Sequence, residues 1–124
     1  RMVLWGHSRG GGSVIDAVSS AREKRYSFAA AIALAPYPAC PGKAVPPAIP
    51  LLVMVGTEDT ESPAERCVEY AAKLENVAGF EFLLLQDSGH TFWPTAWGGY
   101  NETAADLANR RLNAFLLKHS PKSP

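Results

Sequence analysis

Gly6-His7-Ser8-Arg9-Gly10 sets a serine between two glycines at G-x-S-x-G spacing, and Gly11 and Gly12 follow. This spacing is that of a nucleophile elbow, in which a strand, a sharp turn and a helix lift the serine clear of the backbone. The flanking residues supply that context. Met2-Val3-Leu4-Trp5 is a short apolar run without alternation and reads as a strand buried on both faces. Gly6 and Gly10 fall where side chains would collide as the chain doubles back. Downstream, Val14, Ala17, Val18 and Ala21 recur at helical spacing and share one face. Ser8 thus sits at a helix N-terminus, where backbone N–H groups and the dipole favour an anion. A Gly-rich turn with an incidental serine is the plainer reading, and the strand and helix weigh against it.

A serine nucleophile needs a base for its proton and a carboxylate to orient that base, in the chain order Ser, Asp or Glu, His. The chain has three histidines. His7 lies inside the elbow and is poorly placed to serve Ser8. His119 belongs to a basic, Pro-terminated tail and reads as solvated. His90 remains, after the apolar run Phe80-Glu81-Phe82-Leu83-Leu84-Leu85 and the turn Gln86-Asp87-Ser88-Gly89. A residue just past the carboxyl end of a buried parallel strand is where such sheets place chemistry.

The acid follows another apolar run, Ile49 to Gly56, which ends in Thr57-Glu58-Asp59-Thr60. Asp59 is favoured, because a residue a few positions past the strand end can curl toward the His90 loop. Glu58 points to solvent or structures the turn, and Asp87 would have to fold back over a very short loop. The rival for Asp59 is a turn-stabilising role, since Asp bonds nearby backbone readily. In the resulting constellation Ser8 attacks an acyl carbonyl, His90 moves the proton and Asp59 fixes the imidazole tautomer. The backbone N–H of Arg9 is the expected oxyanion donor.

These residues resemble the α/β-hydrolase superfamily, and within it the dienelactone hydrolase-like branch. Gly6-His7-Ser8-Arg9-Gly10-Gly11 is similar to that branch's elbow, with Ser where dienelactone hydrolase carries Cys. Ala35-Pro36-Tyr37-Pro38-Ala39-Cys40 resembles its Tyr-Pro-x-Cys strand end. Gly56-Thr57-Glu58-Asp59, with Pro63 and Cys67, resembles its acid loop and following helix, and Gly89-His90-Thr91-Phe92 its histidine loop. The resemblance covers the C-terminal half of such a fold. It implies that the N-terminal strands and the loop giving a second oxyanion donor have no counterpart among these residues.

The elements alternate strand, helix, strand, loop, strand, helix, strand, loop, helix. This predicts a truncated α/β domain over residues 1–119, with a parallel sheet of about four strands and helices on both faces. Phe28 to Leu34 is read as a strand despite its alanines, because Pro36 and Pro38 close it. Ser62-Pro63-Ala64-Glu65 reads as a capping box opening a helix that buries Ala64, Cys67, Val68, Ala71 and Leu74. The last helix starts near Asn101 and buries Ala104, Ala108, Leu112 and Phe115. Residues 120–124 read as a disordered tail.

The chain is 124 residues long and 47% hydrophobic, enough for one compact core. Its zero formal net charge gives no electrostatic case for nucleic acid or an anionic membrane. No apolar run approaches the roughly 18 residues that span a bilayer. No cofactor is implied, and the histidines and cysteines are not grouped as metal ligands. Cys40 and Cys67 fit a disulfide, a pair of buried thiols or neither. The compartment stays open between cytoplasmic and secreted or periplasmic.

His7, Tyr37, Phe92, Trp93 and Trp97 are candidates for a substrate pocket. The tryptophans could equally pack the last helix on the sheet. The leading expectation is a carboxylesterase-like serine hydrolase that cleaves small esters through an acyl-enzyme on Ser8. A non-catalytic half-fold acting as a binding or assembly module is the alternative, and a peptidase of related fold is a further one. The first strand would be an apolar edge, so a homodimer through that strand or the sheet faces is also expected.

Overall fold

A computed structural model describes residues 2–19, 28–91 and 101–119. Phe92, Trp93, Trp97, Ala21 and the 120–124 tail, all named above, lie outside the described residues. The elements run β1 (Met2–His7), α1 (Arg9–Ser19), β2 (Phe28–Leu34), β3 (Leu51–Gly56), α2 (Ala64–Lys73), β4 (Phe80–Leu85) and α3 (Glu102–His119). The strands form one sheet in the order β1-β2-β3-β4, and every neighbouring pair is parallel. This is the expected α/β architecture.

Strand alternation builds two cores from the same residues. Ala31, Ala33, Leu51, Val53 and Val55 face Val14, Ile15 and Val18 of α1 and Cys67, Tyr70 and Leu74 of α2. Ala30, Ile32, Leu34, Leu52 and Met54 face Ala104, Ala108, Leu112 and Phe115 of α3. Each fully buried Leu or Phe of this kind contributes ~1.5–3 kcal/mol, which makes α3 more than a cover. The alanines of β2 leave room for helices to lie close on both faces. Among the described residues no helix is long and apolar enough to cross a membrane.

Several local expectations need correction. On α1 the buried set is Gly11, Val14, Ile15 and Val18, so Ile15 takes the place given to Ala17, which is exposed. Tyr70 is buried on α2, whereas Val68 is exposed. The capping box does not form: the N-cap of α2 is Pro63 rather than Ser62, with no side-chain cap, and the Ser62 hydroxyl donates to the Ala35 carbonyl at 2.8 Å. His119 is not solvated. Its ring packs against Phe115 with centroids 4.6 Å apart. β1 lies at the edge of the described sheet, as expected, but it is not buried on both faces, since Met2 and Trp5 are exposed.

Parallel pairing decides where chemistry can occur. The registers His7↔Leu34, Leu34↔Met54 and Gly56↔Leu85 bring the carboxyl ends of all four strands to one edge. The segments leaving those ends carry Ser8, Tyr37, Asp59 and His90.

Candidate active site

Ser8 occupies the single residue between β1 and α1 and adopts φ 60°, a conformation that costs a non-glycine residue energy. The surroundings hold it there. Its N–H donates to the Leu34 carbonyl at 2.9 Å, and its carbonyl accepts from the N–H groups of Gly12 and Tyr37 at 3.1 and 2.9 Å. A Cβ at Gly6 would run into the Gly10 carbonyl, so the tight turn requires glycine at position 6. Gly10 was expected to be constrained in the same way, yet a Cβ there would meet nothing within 4 Å. The crowding comes instead from the Gly10 backbone pressing on Gly6.

Asp59 follows β3 with its side chain fully buried. Its Oδ1 accepts from the N–H groups of Glu61 and Ser62 at 2.8 and 2.7 Å. The turn-stabilising role and the role toward histidine thus coexist in one carboxylate. His90 Nδ1 lies 2.8 Å from Asp59 Oδ2 and 3.0 Å from Oδ1. On the other side of the ring, His90 Nε2 lies 2.8 Å from Ser8 Oγ. A carboxylate only accepts, so Nδ1 carries the proton and Nε2 is left to accept from the serine hydroxyl.

The loops that present these groups are tied to one another. The Thr57 and Glu58 N–H groups donate to the carbonyls of Leu85 and Ser88, both at 2.9 Å. Glu58 thus contributes its backbone to the acid loop. Asp87 sits at φ 54°, donates its N–H to Thr57 Oγ1 at 2.9 Å and accepts from the Asn101 amide at 2.8 Å. It is a turn residue, in a region that Asp tolerates. A Cβ on Gly56 would strike the Ser88 carbonyl, so the two loops meet only because glycine ends β3.

The remaining candidates fall in two groups. Arg9 is the first residue of α1, so its N–H lies outside the helical ladder and is free of an intrahelical partner. Its guanidinium stands 5.0 Å from the Tyr37 ring centroid. Arg9 and Tyr37 line an open cavity of about 640 Å³ with Gly12, Asp16, Pro38 and Pro41. His7 faces elsewhere: its Nε2 lies 3.0 Å from the His90 carbonyl, and it is absent from that cavity's lining. Cys40 and Cys67 form a disulfide with Cα atoms 4.9 Å apart, which ties the segment after Tyr37 to α2. Among the described residues no group of His, Cys, Asp and Glu could hold a metal ion.

Two residues beside the site are not read as site residues from the sequence. Ser62 is fully buried and links the acid loop to the end of β2 through Ala35. Glu61 places Oε2 3.3 Å from His90 Nε2. Their nearness to Asp59 was the available signal, since an Asp that accepts from the next N–H groups fixes the residues carrying them.

No family profile and no curated protein matches the chain. Solved structures do. A protein assigned as a dienelactone hydrolase from Klebsiella pneumoniae matches with TM-score 0.73 at 19% identity, covering 94% of this chain and 52% of that one. The propionate-bound thermophilic esterase Est2 from Thermogutta terrifontis gives TM-score 0.67 at 18% identity, over 98% and 58% of the two chains. Esterase PE8 gives 0.61 at 20% identity, over 92% and 50%. The chain thus spans about half the length of the solved structures it matches. Over that half its fold is α/β-hydrolase-like, as the sequence resemblance implied.

Proposed function

We propose that this chain carries the nucleophile, base and acid of a serine ester hydrolase. The observation that supports this reading is the run of short contacts Ser8 Oγ–His90 Nε2 and His90 Nδ1–Asp59 Oδ2, both 2.8 Å. Ser8 Oγ bonds to the acyl carbon as its proton passes to His90 Nε2, and the carbonyl oxygen takes up the negative charge. The Arg9 N–H donates to that oxyanion, a contribution of roughly 10²–10³ in rate for one such donor. Collapse breaks the bond to the leaving alkoxide, which takes the proton from Nε2. Water then repeats the sequence on the acyl-enzyme and releases the acid. Asp59 stabilises the imidazolium throughout.

The substrate class in this reading is a small ester, with no cofactor required; the cavity lined by Arg9 and Tyr37 does not include Ser8, Asp59 or His90. The test is turnover of a 4-nitrophenyl alkanoate by the purified chain. A burst of nitrophenol followed by steady release is expected, and it should be lost in Ser8→Ala. A chain that never turns over such esters would leave the binding or assembly role as the better account.

Two further proposals accompany it. Met2 and Trp5 on the β1 edge are 56% and 48% exposed, which favours self-association through that strand. The Cys40–Cys67 bond favours the secreted or periplasmic alternative, since disulfides persist in oxidising compartments.

A further inference from the structure

We infer that Glu61 sorts substrates by the charge on their leaving alcohol, favouring cationic alcohols over neutral ones and neutral over anionic ones. The inference rests on the acyl-enzyme reading above and adds which part of the ester the site discriminates.

The group that protonates the leaving oxygen must come within hydrogen-bond reach of it, and here that group is His90 Nε2. The alcohol therefore departs past Nε2. Glu61 Oε2 stands 3.3 Å from that same nitrogen, and its side chain is 60% exposed. Any substituent on the leaving oxygen thus passes within a few ångströms of a solvent-accessible carboxylate. Glu61 is not free to drift along the chain, because its N–H donates to Asp59 Oδ1 at 2.8 Å. Nor does it duplicate the acid. Asp59 already holds Nδ1, and Glu61 lies at the opposite nitrogen.

The charges around His90 make this reading asymmetric. Asp59 is buried and committed to Nδ1 and two backbone donors. The Arg9 guanidinium is over Tyr37, in a cavity that also holds Asp16 and does not include Glu61. Among the described residues, the exposed charge placed against Nε2 is the Glu61 carboxylate. Exposed charges a few ångströms apart have small effects that salt screens, so the expected discrimination is about threefold per unit of substrate charge.

The test compares three acetate esters on the full chain: acetylcholine, its neutral isostere 3,3-dimethylbutyl acetate, and acetoxyacetate. In the wild type kcat/KM should fall about threefold at each step of that series at low ionic strength, and the steps should shrink in salt. Glu61→Gln should flatten both ratios, and Glu61→Lys should reverse their order. The substitutions leave the backbone N–H bond to Asp59 in place, so the acid loop keeps its support. Ratios that are unchanged in both variants would overturn the inference while leaving the acyl-enzyme reading intact. A wild type that turns over 4-nitrophenyl acetate but none of the three esters would overturn the inference alone, and one that turns over none of the four would overturn the acyl-enzyme reading as well.

Discussion

His7 and His90 are joined directly: His7 Nε2 lies 3.0 Å from the His90 backbone carbonyl, and the two rings are tilted with centroids 5.0 Å apart. The carbonyl can only accept, so His7 must carry its proton on Nε2. His7, the residue before Ser8, therefore anchors the loop that presents His90. The bond links the segment next to Ser8 to the loop that carries His90, although the two are far apart in sequence.

His7→Phe should lower kcat about 10- to 100-fold with little change in KM, because small misplacements of a reacting group are costly. His7→Gln can put an amide N–H near the same place and should recover most of that loss. Steady-state kinetics of the two variants check this. Equal damage from both would mean that the donor is irrelevant.

Asp59→Asn should lower kcat by about 10⁴-fold, less than the roughly 10⁶-fold expected for Ser8→Ala. The reason is local. Oδ1 accepts from Glu61 and Ser62, so the Asn oxygen must stay there and its NH₂ must face His90 Nδ1. That contact forces the proton onto Nε2, the wrong tautomer for taking one from Ser8. Kinetics with the same 4-nitrophenyl ester, alongside the circular dichroism of each variant, separate lost chemistry from lost fold.

Much of this site was legible in the sequence because the signals were local. β2 and β4 match the apolar runs read from Phe28 to Leu34 and from Phe80 to Leu85. The elbow, Asp59 and His90 each follow an apolar run, and parallel pairing does the rest. What was missed depends on contacts between distant segments. Ser62 reads as a helix cap, but α2 starts one residue later, at the Pro63 cap, and the Ser62 hydroxyl goes to the Ala35 carbonyl. Tyr70 is not among the residues the helical spacing places in the core, yet it packs edge-on to Phe80 with centroids 5.9 Å apart. His7 looked like a pocket residue because nothing within the elbow shows that the His90 carbonyl lies within its reach.

Tyr70 also gives a pH dependence of stability. Its burial pushes the phenol above the ordinary 10.0. The unfolded chain can ionise there while the folded one resists. The stability is thus fully present below about pH 10 and is lost as the pH rises toward the folded value, by about 1.4 kcal/mol per pH unit. Denaturant titrations from neutral to strongly alkaline pH should show this decline in the wild type, with Tyr70→Phe lacking that share of it.

Self-association through the β1 edge predicts a dimer by light scattering in the micromolar range. Trp5→Lys should weaken it by putting charge on an exposed edge position. A monomer throughout that range would contradict the proposal.

The central claim is that Ser8 is a nucleophile activated by His90. A fluorophosphonate probe followed by peptide mapping tests it most directly, because capture needs only the first covalent step. The account predicts one adduct, on Ser8, formed by the wild type and abolished by Ser8→Ala and by His90→Ala. An adduct on another residue, or a wild type that takes up no probe, would contradict it.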